Sequence, residues 1–274
     1  KNNKNMNKPI FRYYCFDIDD NILITSTKLH MEHFMNGIWT KKDISTKEYA
    51  KINNCPNWRT TDNTYVDFGD FGSLGEYTFL EDVKKAISNR QFGPSWNTFI
   101  NCIINGNIFS IISARGHETI SIRYAIEYII WNILTLKQRK KMYNNLIKFN
   151  NIFGNSLCDF SYVELINNYL DSCYFIGVTS PSFLYKYNHF DYIKPEHGKI
   201  IALKNFINKI KSYHISINAD IRIGFSDDDI KNIKEIQKIF EELSQTYNDI
   251  SFSIINTSNP NIIGGIKKRI NSIN

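Results

Sequence analysis

The chain has 274 residues, 42 % of them hydrophobic and 14 % aromatic, with a formal net charge of +6. That is enough for one large α/β domain, or for a core domain with a smaller insertion. The charge suits anionic, phosphorylated partners, but no Lys/Arg run is dense enough to form a nucleic-acid stripe, and the clusters Lys137–Lys141 and Lys267–Arg269 read as solvated helix or tail surface. The five cysteines are widely spaced with no CxxC pair, and the histidines show no HxxxH or HExxH spacing. A disulfide framework and a zinc centre are therefore excluded as organising features, and a reducing, cytoplasmic setting is expected. Lys1–Lys8 lacks the apolar stretch of a secretory signal, and the most apolar run, Tyr124–Leu136, is short and carries Glu127, so no membrane association is expected.

In chain order, residues 1–9 read as a disordered tail. Ile10–Phe16 predicts a buried strand that ends in acids at Asp17–Asp20. Asn36-Gly37, between two β-prone runs, predicts a hairpin, and Ser45 with Glu48 predicts a helix-opening capping box. Residues 52–77 read as loop. Helical spacing returns over Phe79–Ile87 and Trp96–Ile104, where Gly106 closes the second helix. Ile108–Ile112 is a second buried strand, ending at Ser113 and followed by a turn through Ala114, Arg115 and Gly116, then a long helix over Ile120–Ile133. Residues 137–170 read as mostly helical, and Tyr174–Val178 is a short apolar run. Pro195 opens a helix carrying Lys199, Ile221–Phe225 is a strand running into Asp227-Asp228-Asp229, and a further helix leads to a last strand at Ile250–Ile255.

Strands alternating with helices predict βαβ units and a three-layer, Rossmann-like parallel sheet, whose ligands bind beyond the carboxyl ends of the strands. The chemically distinctive residues fall at those ends. Asp17 and Asp19 lie two apart on an extended segment, which turns both side chains to one side, where close carboxylates need a shared cation or proton. Asp227 and Asp228 supply a second pair of hard oxygen donors suited to magnesium, with Asp229 placed to cap the next helix. Ser113 precedes a Gly-containing turn that could cradle phosphate on backbone N–H groups. Lys199 sits at the electropositive start of a helix, where a lysine is disfavoured without a specific reason. Each of these features alone also fits an ordinary strand end or helix cap.

Their order is more specific. Asp17-x-Asp19, then Ser113, then Lys199, then Asp227-Asp228 resembles the four motifs of the haloacid dehalogenase (HAD) superfamily over about Ile10–Ile255. The resemblance implies a HAD-like core over residues 10–24 and 78–256, a flap or cap insertion over 25–77, a second helical insertion over 137–193 and a tail from 257 to 274. It implies a phosphomonoester hydrolase with Asp17 as nucleophile and Asp19 as general acid and base. Ser113, Ala114 and Arg115 would hold phosphate and Lys199 would neutralise charge, with Lys194 and Lys204 as competitors for that place. Mg²⁺ would be held by Asp17, Asp227, Asp228 and the Asp19 backbone carbonyl. Asn21 departs from the family pattern, which has Thr or Val there, and Gly224-Phe225-Ser226 before the acid pair leaves the choice among Asp227, Asp228 and Asp229 open by one residue. Phe34, Trp39 and Trp58 would either stack on a substrate base or sugar or pack the cap onto the core, and Arg115 would either reach a phosphate or lie in a surface turn. The expected partner is a phosphorylated small molecule, including nucleotides, with no obligatory protein partner. The narrower alternative is a nucleotide or nucleic-acid 3′-end phosphatase, and the alternative outside enzymes is a catalytically silent binding protein.

Overall fold

The computed structural model describes residues 8–52, 54–152, 160–188 and 193–270. Six strands form the main sheet in the order β6-β5-β1-β7-β8-β9. They are β1 (Ile10–Phe16), β5 (Phe109–Ser113), β6 (Tyr174–Gly177), β7 (Asp220–Asp227), β8 (Ile250–Asn256) and β9 (Ile266–Ile270). All neighbours are parallel except β8 and β9. This is a mostly parallel, Rossmann-like α/β sheet. β5, buried along its whole length, reads Phe-Ser-Ile-Ile-Ser, the near-continuous apolar run of a strand covered on both faces. β1 alternates instead, with Phe11, Tyr13 and Cys15 buried while Arg12 is exposed.

The connecting helices are α2 (Thr78–Ser88), α3 (Trp96–Ile104), α4 (Thr119–Tyr128), α5 (Leu136–Ile152), α6 (Tyr162–Ser172), α7 (Pro181–Lys186), α8 (Pro195–Tyr213) and α9 (Ile230–Thr246). α4 continues into a π-helical turn at Ile129–Ile133, which completes the long helix expected over 120–133. No described helix is long and apolar enough to cross a membrane.

The chain runs from β1 to β5 and β6 on one side of the sheet and to β7 and β8 on the other. The order therefore reverses at β1 and β7, and a doubly wound sheet opens its crevice at such a switch, beyond the strands' carboxyl ends. Asp17 and Asp227 lie at the ends of those two strands.

The Asn36-Gly37 hairpin forms as expected, with β2 (Leu29–Met35) and β3 (Ile38–Ile44) antiparallel and both turn residues at positive φ (51° and 80°). β4 (Trp58–Arg59) adds a third strand, and α1 (Thr46–Ile52) starts at the expected capping box, where the Ser45 N–H donates to Glu48 at 2.7 Å and the Glu48 N–H to Ser45 at 3.2 Å. This small sheet has its own core of Leu29, Met31 and Ile44, with Trp58 packed against it and stacked on His33 at 4.2 Å. Trp39 lies beside Phe34 and under Arg59. Trp58 thus packs within the inserted segment rather than onto the main core as expected, and Phe34 is exposed.

Two expected boundaries differ. Residues 266–270 form β9, because Ile266 and Ile270 pair with Asn256 and Phe252 at the sheet edge, so part of the expected tail belongs to the sheet. Lys267 and Arg269 accordingly stand on a strand. Within 137–193, β6 is hydrogen-bonded to β5, so this stretch contributes to the main sheet itself. Of the expected N-terminal tail, Pro9 already accepts the Asp220 N–H at 2.9 Å; residues 1–7, 153–159, 189–192 and 271–274 lie outside the described residues.

Candidate active site

At the end of β1 the Asp17 N–H donates to the Ser226 carbonyl at 3.0 Å, which fixes Asp17 against β7. The chain then turns tightly. The N–H groups of Asn21, Ile22 and Leu23 all point at the Ile18 carbonyl, and Asp20 takes a φ of 58°. Asp tolerates this left-handed conformation better than most side chains.

Asn21, fully buried, holds the turn. Its amide donates to the carbonyls of Asp17 (2.9 Å) and Ser226 (3.1 Å). Its Oδ1 accepts from Ser95 (2.8 Å), Ser226 (2.9 Å) and Thr257 (2.7 Å). One side chain thereby joins the ends of β1, β7 and β8 to the start of α3. Gly93 is required beside it, since a Cβ there would meet the Asn21 carbonyl oxygen at 2.3 Å. Val in place of Asn21 could not make this network at all, and Thr only in part.

Asp17, Asp227 and Asp228 bring one carboxylate oxygen each to within 4.8 Å of one another. Lys199, only 2 % exposed, reaches between them from the first turns of α8, at 3.0 Å from Asp17 Oδ1 and 2.7 Å from Asp227 Oδ2. Lys194 and Lys204 are exposed, so Lys199 takes the place for which they competed. Gly198 permits the approach, because a Cβ there would strike Val178 at 2.7 Å. Asp227 also accepts from Asn232 (3.0 Å) and from the Asp229 N–H (2.9 Å), while Asp229 caps α9 by accepting the Lys231 N–H. The one-residue ambiguity is thus resolved geometrically: Asp227 and Asp228 face Asp17, and Asp229 is a helix cap.

The three clustered carboxylates have one ammonium among them, bonded to Asp17 and Asp227, so the cluster is short of positive charge. Burial pushes the Asp17 carboxyl up to about 8 against the opposing pull of Lys199, with Asp227 and Asp19 adding to the rise. Burial and the neighbouring acids push Asp228 up to about 9. Lys199 is held charged: its burial opposes this, but Asp17 and Asp227 outweigh it. Hard oxygen donors in a charge-deficient pocket fit a small divalent cation such as Mg²⁺.

Asp19 turns to a different cation. Its oxygens accept from Arg115 Nε (2.7 Å), Arg115 Nη2 (2.8 Å) and Thr25 (2.7 Å). Its carboxylate thus lies outside the Asp17 cluster, contrary to the expectation that period-two geometry would pair the two acids; Arg115 and Thr25 hold it elsewhere. Burial would raise the Asp19 carboxyl, but the Arg115 guanidinium and its hydrogen bonds hold it below the ordinary value.

Arg115 is 2 % exposed and is neither a surface turn residue nor directed at an open phosphate pocket. Beyond Asp19 it donates to Asp82 (2.8 Å), Thr25 (2.9 Å) and Thr27 (2.8 Å), and it lies over the rings of Phe68 and Phe79. Asp82, Thr25 and Thr27 escaped the sequence reading. Asp82 is half-buried beside the buried stripe of Phe79, Val83 and Ala86 on α2, where a single acid gives no apolar signal.

Ser113 is buried at the end of β5, and its Oγ accepts the Arg115 N–H at 3.3 Å. The expected cradle of this turn is not at a helix start. α4 begins only at Thr119, the Gly116 N–H donates to the Phe68 carbonyl (2.7 Å), and Asp70 accepts from the Glu118 N–H (2.9 Å) and Ser121 Oγ (2.8 Å). Asp70 of the inserted segment thereby occupies the α4 terminus. Ala114 alone of this turn is exposed.

Comparison of the chain with protein-family models, with curated proteins and with solved structures finds no match in any of the three.

Proposed function

We propose that this chain is a magnesium-dependent phosphomonoester hydrolase of HAD type, working through an aspartyl-phosphate on Asp17. The observation that carries the reading is the convergence of Asp17, Asp227 and Asp228 on the buried Lys199 at the carboxyl edge of the sheet. Those four residues come from three distant segments, in the order the resemblance implies. The segment 25–77 supports a cap role. Its Phe68 and Asp70 bond the chain around Gly116 and Glu118, and its Thr46 donates to Asp20 at 2.7 Å, so it is tethered beside the site.

Mg²⁺ held by Asp17, Asp227 and Asp228 would supply the positive charge the cluster lacks and stabilise the charge on the transferring group. Lys199 holds one Asp17 oxygen and leaves the other to attack phosphorus. The bond from phosphorus to the leaving oxygen breaks, and that oxygen takes a proton from Asp19. Water then attacks the phospho-aspartate, gives a proton to Asp19, and releases inorganic phosphate with Asp17 restored. The Arg115 clamp favours ionised Asp19, which suits the second half. The first half needs Asp19 protonated whenever the leaving group is a poor one.

Phosphate release from p-nitrophenyl phosphate, with Mg²⁺, with EDTA and with Asp17→Asn, tests the reading. Turnover that requires Mg²⁺ and is lost in the variant is expected. No Mg²⁺-dependent turnover, or an undiminished variant, would leave the catalytically silent binding protein as the better account.

A further inference from the structure

The open face of the main sheet around β1, β7, β8 and β9 carries a second feature that the hydrolase reading does not use. Arg12 and Arg222 are register partners on adjacent strands, and Arg222 in turn faces Ser251. Across the sheet, Ser253 pairs with Arg269 and Ile255 with Lys267. Alternation places all of these side chains on one face, because their neighbours Phe11, Tyr13, Ile221, Ile223 and Phe252 are buried on the other. α9 covers that other face, where Phe240 stacks on Phe252.

Parallel sheets are normally covered on both faces. Here Arg12, Ser251, Lys267 and Arg269 are exposed and Arg222 is half-buried. The four cations border a cavity of about 750 Å³ whose lining contains no Asp or Glu. None of them enters an ion pair among the described residues. They are close enough to repel one another: burial, Arg269, Arg12 and Arg222 all make the Lys267 ammonium easier to discharge. Gly224, between Tyr14 and Ser253 in register, leaves the floor without a side chain. With strands about 4.8 Å apart, β1 and β9 stand about 14 Å apart, room for a single polymer strand.

We propose that this face binds a single-stranded nucleic acid through its phosphodiester backbone. Uncompensated cations around a polar, concave floor match a flexible polyanion, and Tyr14 lines the same floor. An anionic lipid surface fits less well, because the floor is recessed and presents few apolar groups that could insert. The sequence shows no basic stripe because the four cations come from β1, β7 and β9. This inference does not rest on the hydrolase reading.

The test is fluorescence anisotropy of a fluorescein-labelled single-stranded oligonucleotide titrated with the full chain. Four phosphate contacts predict a slope of log K against log salt of about −2.8, hence about a 50-fold loss of affinity between 50 mM and 200 mM salt. Arg222→Ser/Lys267→Ser/Arg269→Ser should flatten the slope toward about −0.7. Lys137→Ser/Lys140→Ser/Lys141→Ser removes equal charge from α5 and should leave binding within about twofold. Asp17→Asn should bind like the unaltered chain whether or not the hydrolase reading holds. Should the first triple variant fail to fold, Arg12→Ser/Arg269→Ser, at two exposed positions, should bring the slope to about −1.4, with Lys140→Ser/Lys141→Ser as its equal-charge control. No binding at 50 mM salt, equal weakening by the α5 variant, or binding to phosphatidylserine vesicles but not to the oligonucleotide would overturn the proposal.

Discussion

Asp17 and Asp19 are two residues apart, yet they belong to two differently built neighbourhoods. On the Asp17 side, β7 and α8 supply two more carboxylates and one buried ammonium, and the Asp17 and Asp228 carboxyls are pushed up. On the Asp19 side, β5, α2 and the start of the inserted segment supply a guanidinium, a second acid and two hydroxyls, and Asp19 is held down. Each side has one buried cation, and the difference lies in how many acids share it. A motif of two identical residues thus becomes one group that shares an ammonium within a cluster of three acids and one held by a guanidinium shared with a single further acid.

The comparison breaks most visibly at Lys199. Lys199→Met should leave Asp17, Asp227 and Asp228 together in a buried pocket without a counter-charge. Removing one partner of a buried ion pair costs about 3–5 kcal/mol, to be read by urea unfolding in EDTA. Mg²⁺ should return part of that loss. In the unaltered chain, the raised carboxyls of Asp17 and Asp228 contribute stability that is full below the unfolded carboxyl range and is lost as pH rises toward 8 and 9. The Mg²⁺-dependent gain in Tm should therefore be larger at pH 8 than at pH 5.5. An equal gain at both would mean that these carboxyls do not exchange protons for the ion.

A smaller effect sharpens the other side. Arg115→Gln removes the charge that holds Asp19 ionised, so the Asp19 carboxyl should rise. If Asp19 protonates the leaving oxygen, the acidic limb for an alkyl phosphate should extend to higher pH by the same amount. p-Nitrophenyl phosphate, whose leaving group needs no proton, should show little change. The ratio of the two kcat/KM values against pH is insensitive to any fraction of the variant that fails to fold. An unmoved ratio would mean that Arg115 does not control this proton.

Much of the Asp17 side was legible in the sequence. β1, β5 and β7 announce themselves as short apolar runs ending in polar residues, and the chain order of Asp17, Lys199 and Asp227-Asp228 suffices to bring them to one edge once the strands are parallel. The Asp19 side was not legible, because its organiser, Arg115, bonds partners from 33 to 96 residues away that carry no local pattern. The role of Asn21 was not legible for the same reason, since its five hydrogen bonds reach residues as far off as Thr257. β9 was missed because its Ile-Lys-Lys-Arg-Ile reads as a charged tail, and an edge strand tolerates charge that a central strand would not.

The central claim is that Asp17, which shares its one ammonium with neighbouring acids, carries the phosphoryl group. Rapid acid quenching of the chain with a ³²P-labelled phosphomonoester and Mg²⁺ tests it most directly. The account predicts label on the protein that is released by hydroxylamine, as an acyl phosphate is, and that is absent with EDTA and in Asp17→Asn. Label that survives hydroxylamine, or persists in Asp17→Asn, would contradict it.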